Sequence, residues 1–406
     1  MPPIPLFQNK RLLLGVTGSI AAYKAADLAS KLTQAGAEVT TLLTESAARF
    51  VTPLTFRAVT GGRVVTDLWS EEAHVIHVEL AEQADLFIIA PASAQTMAKL
   101  AHGQADNLLT VTALAAPCPI VLAPAMDGGM FAHPATQANL RTLAERGVLI
   151  VGPAEGRMAS GLVGKGRMVE PAEIFGQVRL KLASGGPLAG RHFVVTAGGT
   201  QEPLDPVRFI TNRSSGKQGL ALAQAALDWG AQVTLIAGPT VNLATPAGAR
   251  RVEVNTAAEM AEAVLAACAD ADALLMAAAV ADFRPAQVAD QKIKKAEVPE
   301  IALEKTVDIL AVVADRRQAT GRPAVVVGFA AESQNLIENA RDKVARKKLS
   351  LIVANDISAR DAGFGVDTNR VVLIDSGGGL EPLPLLTKTQ VAEKVVERVT
   401  RLLAGI

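Results

Sequence analysis

Two short clusters of glycine and hydroxyl residues in the first half of the chain could bind a phosphate. The first is Gly15-Val16-Thr17-Gly18-Ser19, between an aliphatic run and a helical pattern. The second is Ala90-Pro91-Ala92-Ser93-Ala94-Gln95-Thr96, which follows another aliphatic run. Amide N–H groups and the helix dipole favour an anion at a helix N-terminus, and doubly wound sheets bind ligands where their strands end. Both clusters therefore predict a phosphate site.

The spacing favours a mononucleotide over a dinucleotide. The first cluster is not Gly-x-Gly-x-x-Gly, and the second expected strand ends in Leu42-Leu43-Thr44-Glu45, without an acid at its tip to bind a ribose diol. Both departures argue against NAD. FMN, whose ribityl chain is open, fits better, and a merely structural glycine turn is the alternative.

Two further features have no unique interpretation on their own. His74 and His77 are three residues apart and could be a metal pair, a catalytic imidazole or ordinary polar surface. The segment from Met158 to Met168 is basic and rich in glycine, which predicts a mobile flap. It is not a P-loop, because Lys165 is followed by Gly instead of Ser or Thr.

The composition excludes several classes of function. The chain has 406 residues, half of them apolar, and 40 basic residues balance 40 acidic ones. Zero net charge and 3% aromatic residues argue against a nucleic-acid binder. The uncharged run from Leu108 to Met126 contains three prolines, which predicts a helix, a turn and a buried strand instead of a membrane span. Cys118 and Cys268 lack metal-ligand spacing and predict buried thiols in a cytoplasmic protein.

Aliphatic runs alternate with turns and amphipathic helices, which is typical of an α/β fold with parallel sheets. In the first half we expect a helix from Ile20 to Gln34. The strands expected there are Leu12 to Val16, Glu38 to Leu43, Leu86 to Ala90, Pro119 to Ala123 and Val148 to Val151. Those expected in the second half are His192 to Thr196, Gln232 to Ala237, Arg251 to Val254, Ala273 to Ala278, Ala324 to Gly328, Leu351 to Ala354, Val371 to Asp375 and Leu383 to Leu386. Thr256 to Glu259 predicts a capping box, and Thr387 predicts the cap of a last helix from Lys388 to Leu403.

A glycine-rich stretch separates two similar halves. Ser184-Gly185-Gly186-Pro187-Leu188-Ala189-Gly190 has the composition of a linker, and both halves begin with a strand, a glycine turn and a helix. We therefore predict two tandem Rossmann-like, doubly wound α/β domains. Their expected boundaries are 1–184 and 191–406, with a linker at 185–190.

Ordered motifs run through both halves. Those of the first half are Gly15 to Ser19, His77 to Leu80, Pro124 to Met126 and Gly164 to Met168. Those of the second half are Thr196 to Arg208, Asn212 to Lys217, Ala277 to Phe283, Lys292 to Lys295, Gly328 to Glu332 and Ala354 to Asp356. Together they resemble the bifunctional phosphopantothenoylcysteine decarboxylase and phosphopantothenate–cysteine ligase family of coenzyme A biosynthesis. The resemblance implies an N-terminal flavodoxin-like flavoprotein domain and a C-terminal nucleotide-binding ligase domain.

The resemblance implies that the second half joins 4'-phosphopantothenate to L-cysteine. A carboxylate is a poor electrophile, so CTP would first convert it to an acyl-cytidylate, which the cysteine amine then attacks. Asn212 and Lys292 match catalytic residues of the family, and Arg208 is expected at the substrate. The matches to nucleotide contacts are Met276, Ala277, Ala278, Asp282, Lys292, Glu304, Lys305, Thr306, Val307, Phe329, Lys343 and Lys347. Without the resemblance, these lysines would be ordinary solvated charges.

The resemblance implies that the first half uses FMN to oxidise the product's cysteine thiol. The carboxylate is then lost as CO2 and the enethiol is reduced, which gives 4'-phosphopantetheine. His77 matches the active-site histidine, and Arg167 is expected at the substrate. The residues expected around FMN are Gly15, Gly18, Ser19, Thr44, Ser93, Thr96 and Met126.

Two positions depart from the common family pattern. Asp127, expected to be catalytic, stands where Asn is usual; an ionised Asp only accepts hydrogen bonds and would repel a substrate carboxylate. Ser160, expected at the substrate, stands where a Cys proton donor is usual, and a hydroxyl is a far weaker acid than a thiol. They motivate an alternative, an active ligase whose N-terminal domain is a flavin-binding scaffold or regulatory module of low turnover. A third possibility, an NAD-dependent oxidoreductase fused to a transferase, is disfavoured by the missing ribose acid.

The resemblance also implies partners. The small molecules are 4'-phosphopantothenate, L-cysteine and CTP, with Mg2+ accompanying the triphosphate, although no dedicated metal-ligand set is visible. No nucleic acid or membrane partner is expected. Family members associate through both domains, so a homo-oligomer, a dodecamer, is expected.

Overall fold

The computed structural model describes residues 4–69, 75–158, 161–294, 300–332, 335–356 and 365–405. The chain divides into two compact units, Met1–Leu182 and Ala183–Ile406. Each unit is built on one large, mainly parallel sheet with helices along it. The predicted α/β class is confirmed, whereas the boundaries at 184 and 191 stay a prediction.

The first unit contains a main sheet and a separate hairpin. Its strands are β1 Arg11–Val16, β2 Glu38–Leu43, β3 Val64–Val65, β4 Leu86–Ala92, β5 Ile120–Pro124, β6 Leu149–Ile150, β7 Ala154–Arg157 and β8 Val163–Arg167. Its helices, after a 3-10 turn at Pro5–Phe7, are α1 Ala22–Gln34, α2 Glu45–Ala48, α3 Pro53–Thr60, α4 Ile76–Gln83, α5 Ala94–His102, α6 Leu108–Ala115, α7 Gly128–Ala132, α8 Pro134–Glu145 and α9 Pro171–Ala183. The main sheet is parallel, with strand order β3-β2-β1-β4-β5-β6, and β7 pairs with β8 antiparallel.

Strand β1 is buried on both faces, which explains its continuous aliphatic sequence. Leu12, Leu14 and Val16 belong to the core that includes residues of α1 and α9, and Leu13 belongs to the core that includes residues of α4, α5, α6 and α8. Because β1 pairs with β2 on one side and with β4 on the other, the sheet order reverses between β1 and β4. The loops that follow these two strands therefore meet at the carboxyl edge of the sheet, where doubly wound folds bind ligands.

The second unit has an eight-stranded sheet and several small antiparallel pairs. Its strands are β9 His192–Ala197, β10 Gln201–Pro203, β11 Phe209–Thr211, β12 Gln232–Ala237, β13 Ala249–Glu253, β14 Ala273–Met276, β15 Phe283–Pro285, β16 Leu303–Lys305, β17 Val325–Glu332, β18 Leu351–Asp356, β19 Thr368–Asn369, β20 Val371–Asp375, β21 Leu380–Pro382 and β22 Leu386–Thr387. Its helices are α10 Lys217–Asp228, α11 Ala257–Ala267, α12 Ile309–Thr320, α13 Leu336–Lys347 and α14 Lys388–Ala404. The main sheet has the order β13-β12-β9-β14-β17-β18-β20-β21; it is parallel from β13 to β18, and β20 pairs antiparallel with both β18 and β21.

Three local predictions in this unit are wrong. The expected strand from Ala273 to Ala278 stops at Met276, because the N–H of Ala278 donates to Thr196 Oγ1 at 3.0 Å instead of to a strand. Of the expected strand from Leu383 to Leu386 only Leu386 lies in a strand, at the start of β22, consistent with Pro384, which cannot donate to a ladder.

The third error is the capping box at Thr256. The Thr256 hydroxyl accepts the N–H of Glu259 at 3.2 Å, as expected, but the Glu259 carboxylate accepts from the N–H of Asn255. By contrast, Thr387 forms a full capping box with Gln390 at the start of α14.

The uncharged run from Leu108 to Met126 folds as expected, into α6, a turn and β5. Among the helices of the described ranges, none combines the length and the apolar character needed to cross a membrane.

Candidate active sites

One side chain joins the loops after β1 and β4. Thr17 Oγ1 donates a hydrogen bond to Pro91 O at 2.8 Å and accepts one from the N–H of Ser93 at 3.0 Å. Thr17 is only 1% exposed, so water hardly competes for these bonds. The two clusters that the sequence marks as phosphate sites therefore form one surface.

The hydroxyls predicted to surround the cofactor cap the helices behind them. Ser93 and Thr44 each accept the N–H three residues on, at 3.3 and 3.2 Å, and Ser19 accepts the N–H two residues on at 3.2 Å. Ser93 also donates its hydrogen to Thr96 Oγ1 at 3.1 Å, and Thr44 donates to Val16 O at 3.4 Å. Within the described residues, Ser19 and Thr96 keep their hydroxyl hydrogens unused. These two residues fit the phosphate of a mononucleotide.

Gly18 and Gly15, both predicted to lie at the cofactor, have different structural roles. A Cβ at Gly18 would lie 2.5 Å from Cβ of Ser46, so only glycine permits this approach between the loops after β1 and β2. A Cβ at Gly15 would lie 2.8 Å from Cδ1 of Leu109, so this glycine makes room for α6 inside the core. A direct contact of Gly15 with a cofactor stays a prediction.

A cavity of about 400 Å³ lies beside these loops in the first unit. Its lining includes Ser19, Lys24, Met126, Asp127, Arg157 and Arg167. It thus brings together predicted cofactor, catalytic and substrate residues. Asp127 caps α7, where its Oδ1 accepts the N–H of Gly129 at 3.1 Å.

The β7–β8 hairpin packs against the loop after β5. The N–H of Met126 donates to Gly166 O at 3.0 Å, and a Cβ at Gly166 would lie 2.4 Å from Met126 O. The N–H of Gly128 lies 3.1 Å from Sδ of Met158. The described part of the segment predicted to be a flap therefore includes β8, which pairs with β7 and is hydrogen-bonded to this loop.

Lys24 ties α1 to the end of that hairpin. Its buried Nζ donates to Glu170 Oε1 at 2.8 Å and to Met168 O at 3.3 Å, and Arg167 donates to the same Glu170 oxygen at 2.7 Å. The hydrogen bond from Lys24, with the charges of Lys24 and Arg167, holds the pKa of Glu170 below its ordinary value. Sequence reasoning missed Lys24, because a helical lysine is usually solvated.

Three first-half residues are not placed in this cavity. His77 lies half-buried in the first turn of α4 and is not part of the cavity lining. Ser160 and His74 lie outside the described residues. The roles expected of His77 and Ser160 stay predictions.

A second cavity, of about 150 Å³, lies in the second unit at the start of α10. Its lining includes Ser214, Lys217, Ala277, Ala278, Phe329 and Asn355. Three of these belong to the predicted nucleotide set. Asn355 Oδ1 is buried without a hydrogen-bond partner in the described part of the chain, so a donor on a ligand could satisfy it.

Asn212 is joined to the loop that follows β14. Its Nδ2 donates to Val280 O at 3.0 Å and to Ala279 O at 3.4 Å. The predicted catalytic amide therefore lies beside the predicted nucleotide residues Ala277 and Ala278. In this arrangement its donors are engaged by the backbone, so its expected contact with an acyl-cytidylate stays a prediction.

Asp205 is a buried carboxylate that organises two predicted site residues. It accepts the N–H groups of Val207 and Arg208, both at 2.8 Å, and of Ile293 at 3.2 Å. Arg208 also donates to Ile293 O at 3.1 Å. Burial alone would raise the pKa of Asp205, but these N–H groups and the charge of Arg208 hold it below its ordinary value. The loop that carries Lys292 is thus anchored beside Arg208.

Thr306 and Lys347, two further residues of the predicted nucleotide set, are joined to neighbouring residues of the same unit. Thr306 donates its N–H to Asp282 O at 3.0 Å and its hydroxyl to Ala281 O at 2.5 Å. Lys347 pairs with Asp308. Burial lowers the pKa of Lys347, and the nearby charge of Asp282 opposes that shift.

Not every predicted nucleotide residue is placed in the cavity. Glu304 pairs with Arg284 at 2.7 Å, and Lys292 and Lys305 are exposed. The residues of the set that do not line it are Met276, Asp282, Lys292, Glu304, Lys305, Thr306, Val307, Lys343 and Lys347. Their nucleotide contacts stay predictions. Among the described residues, no three His, Cys, Asp or Glu side chains are grouped to hold a metal ion.

Comparison with known proteins identifies the family. The Flavoprotein family model matches residues 6–182, and the model of the DNA/pantothenate metabolism flavoprotein C-terminal domain matches residues 188–403. The coenzyme A biosynthesis bifunctional protein CoaBC of Bacillus subtilis is 45% identical over 403 residues, 98% of each chain. This chain belongs to the CoaBC family.

Other CoaBC proteins are equally similar. That of Mycobacterium tuberculosis is 46% identical over 408 residues, which cover 98% of this chain and 97% of the relative. A crystal structure of the C-terminal domain of a CoaBC protein is 36% identical, covers 55% of this chain and 100% of its own, and has a TM-score of 0.47.

Membership in the CoaBC family confirms the resemblance found in the sequence. It also confirms the bifunctional enzyme and the flavoprotein half with its expected flavin. The structure adds residues that sequence reasoning missed. Thr17, Lys24 and Asp205 all make hydrogen bonds to remote segments. The sequence signal for Thr17 and Asp205 was their place within the motifs, and Lys24 had none.

Proposed function

We propose that this chain catalyses two steps of coenzyme A biosynthesis. The second unit ligates 4'-phosphopantothenate to L-cysteine with CTP, and the first unit decarboxylates the resulting 4'-phosphopantothenoylcysteine to 4'-phosphopantetheine. The observation that carries this proposal is the 45% identity to a CoaBC protein along 98% of both chains, with a family model matching each unit.

The ligase step needs positive charge around a triphosphate and a fixed position for the activated carboxyl. Lys292 and Lys347 supply cations, and Asp205 holds the loop of Lys292 in place. The cavity at the start of α10 offers the helix N-terminus to an anionic substrate group, and Lys217, which pairs with Asp367 at 2.6 Å, lies in the same lining. Asn212 fixes the loop after β14, beside the same cavity. Magnesium would accompany CTP, with its remaining ligands taken from the phosphates and water.

The decarboxylation step depends on FMN, held at the joined loops after β1 and β4. Ser19 and Thr96 would donate to its phosphate, and Met126 lines the adjoining cavity. When bound, FMN supplies a two-electron acceptor and donor for oxidation of the thiol before CO2 is lost and for reduction of the enethiol afterwards. Asp127 and Arg167 line the space in which the substrate would lie, and His77 would act from α4 as a base or an orienting group.

We also propose that the chain works in the cytoplasm as a homo-oligomer, with a dodecamer expected from the family. The two cysteines are free thiols, which suits a reducing compartment. Phe209, Phe283 and Leu303 are about half exposed on the small antiparallel strands of the second unit, and Leu54 and Trp69 are more than 70% exposed in the first. Such apolar surface supports self-association, which mass photometry of the purified protein would measure.

One experiment tests both activities. The purified protein is incubated with 4'-phosphopantothenate, L-cysteine, CTP and Mg2+, and the products are identified by mass spectrometry. We expect 4'-phosphopantetheine, CMP, pyrophosphate and CO2. Accumulation of 4'-phosphopantothenoylcysteine by flavin-loaded protein would contradict the decarboxylase proposal alone, and release of no CMP would contradict the ligase proposal.

A further inference from the structure

We propose that Arg157 binds the substrate carboxylate in the decarboxylase cavity and offsets the charge of Asp127. This inference rests on the proposed function of the first unit. It assigns a substrate-positioning role to a residue that lies outside the motifs that match the family.

The cavity would hold two negative charges close together, one from Asp127 and one from the substrate. The carboxylate of Asp127 lines it and accepts the N–H of Gly129, so this side chain offers acceptors and negative charge. The substrate brings a second carboxylate, the group that leaves as CO2. Two carboxylates repel at short range, and neither can donate a hydrogen bond to the other when both are ionised. A cation must therefore lie between or beside them.

Among the described residues, three cations line the same cavity, and two of them are already paired. Lys24 and Arg167 both donate to Oε1 of Glu170, at 2.8 and 2.7 Å. Glu170 therefore offsets part of their charge, and it fixes the guanidinium of Arg167 toward the end of the hairpin. Both side chains keep N–H groups that could reach a ligand, but part of their positive charge is already neutralised by Glu170.

Arg157 is the third cation, and its surroundings differ. It is exposed on β7, and it forms no ion pair with any residue in the described part of the chain. Its strand is joined to β8, which hydrogen-bonds through Gly166 to the N–H of Met126, the neighbour of Asp127. The backbone thus presents an unpaired guanidinium to the cavity that Asp127 lines.

A guanidinium suits this task better than an amide would. It can donate two parallel hydrogen bonds to a carboxylate, and it also lowers the electrostatic energy of the nearby Asp127. The carboxylate is still in place while the thiol is oxidised, so the contact contributes equally to the bound substrate and to that step and strengthens binding without changing turnover. Its loss is therefore expected in KM and in equilibrium affinity, while kcat stays within about twofold.

The test compares Arg157→Gln with Lys165→Gln in the full-length, flavin-loaded protein. Lys165 lies on the paired strand and is exposed, and it is not part of the cavity lining, so both variants remove one positive charge from one hairpin. Calorimetry measures binding of 4'-phosphopantothenoylserine, which keeps the carboxylate but has a hydroxyl for the thiol. It also measures 4'-phosphopantetheine, which lacks the carboxylate.

We expect Arg157→Gln to weaken binding of the serine analogue by about tenfold or more, with binding of 4'-phosphopantetheine within about twofold of wild type. Arg157→Lys should recover part of the loss. Adding Asp127→Asn to Arg157→Gln should also recover affinity, because the amide no longer repels the ligand.

Two results would overturn the proposal. In the first, the Arg157→Gln variant binds the serine analogue as tightly as the Lys165→Gln variant does. In the second, Arg157→Gln weakens binding of both ligands equally, which would place the guanidinium at the phosphate. Failure of the proposed function is distinguishable, because then the wild type itself would release no CO2 from 4'-phosphopantothenoylcysteine. The flavin content of each preparation verifies that the first unit of the variants is folded.

Discussion

Thr17 and Ser93 are 76 residues apart in the chain, yet the N–H of Ser93 donates to Thr17 Oγ1 at 3.0 Å. The same hydroxyl donates to Pro91 O at 2.8 Å, so one buried side chain satisfies a donor and an acceptor of the opposite loop. The loops after β1 and β4 are held together where the sheet order reverses. The shape of the proposed flavin site thus depends on a residue that is buried in the protein interior.

Replacing this hydroxyl should damage the first unit without changing the second. Thr17→Val keeps the side-chain volume but leaves the Ser93 N–H without its partner, and Pro91 O keeps only the longer bond from the backbone N–H of residue 17, at 3.3 Å. Because buried unsatisfied groups are costly, we expect a loss of about 1 to 3 kcal/mol in the stability of this unit. We also expect substoichiometric flavin, measured by absorption of the released cofactor.

Thr17→Ser is the matched control, since it retains the hydroxyl and loses only a methyl group. It should keep the flavin and most of the stability. If Thr17→Val bound flavin as well as Thr17→Ser did, the hydrogen bonds between the two loops would not be needed for the flavin site.

Asp205 provides a second prediction, because it anchors the Lys292 loop through the N–H of Ile293. Asp205→Ala should lower ligase turnover about tenfold or more by releasing that loop and Arg208. Decarboxylation of added 4'-phosphopantothenoylcysteine by the same preparation should be unchanged. Parallel loss of both activities would indicate global unfolding instead.

The lowered pKa of Asp205 also predicts a pH dependence of stability. A carboxyl whose pKa is lower in the folded state stabilises the fold above its unfolded pKa, and this contribution declines as the pH falls through the folded value. For Asp205 the decline begins below about pH 4, the ordinary pKa of an aspartate. Denaturant unfolding of the second unit should show a steeper loss from pH 5 to 3 in wild type than in Asp205→Asn.

The sequence predicted those elements whose burial is visible in their own residues. Strands from Glu38 to Leu43, Gln232 to Ala237 and Val371 to Asp375 have the predicted bounds, because each is rich in aliphatic and β-branched residues with consecutive buried positions. The short pairs β10–β11 and β15–β16 were not predicted. They have three residues each, with exposed apolar side chains such as Phe209 and Phe283, so no periodic pattern marks them.

The sites could be predicted only as far as their motifs extend. Ser19, Met126, Asp127 and Arg167 were placed near one another by resemblance, and the structure brings them into one cavity. Lys24 was not predictable, since its partner Glu170 is 146 residues further along the chain. A tertiary ion pair leaves no local pattern in sequence, whereas a helix cap does.

Lys292 provides a test of the nucleotide assignment with a neighbour as its control. Lys292 and Lys294 are both exposed in the same loop. Lys292→Gln should reduce CTP-dependent pyrophosphate release by about a hundredfold if its charge faces the phosphates, and the flavin spectrum should stay intact. Lys294→Gln should have nearly wild-type activity. If both variants lost the same activity, the effect of Lys292 would come from the total positive charge of the loop and not from a specific contact with the phosphates.

The two cysteines should report separately on the two units. Burial raises the pKa of Cys268 to about 12; the charge of Arg316 opposes this shift and that of Asp270 adds to it. Burial also raises the pKa of Cys118, which is only half-buried. Because the thiolate is the reactive form, maleimide at about pH 8 should label Cys118 of the native protein first. Cys268 should react only as the second unit opens, so CTP with 4'-phosphopantothenate should slow its labelling. In concentrated guanidinium chloride both thiols should react at similar rates, and fast labelling of Cys268 in native buffer would contradict its burial against α12.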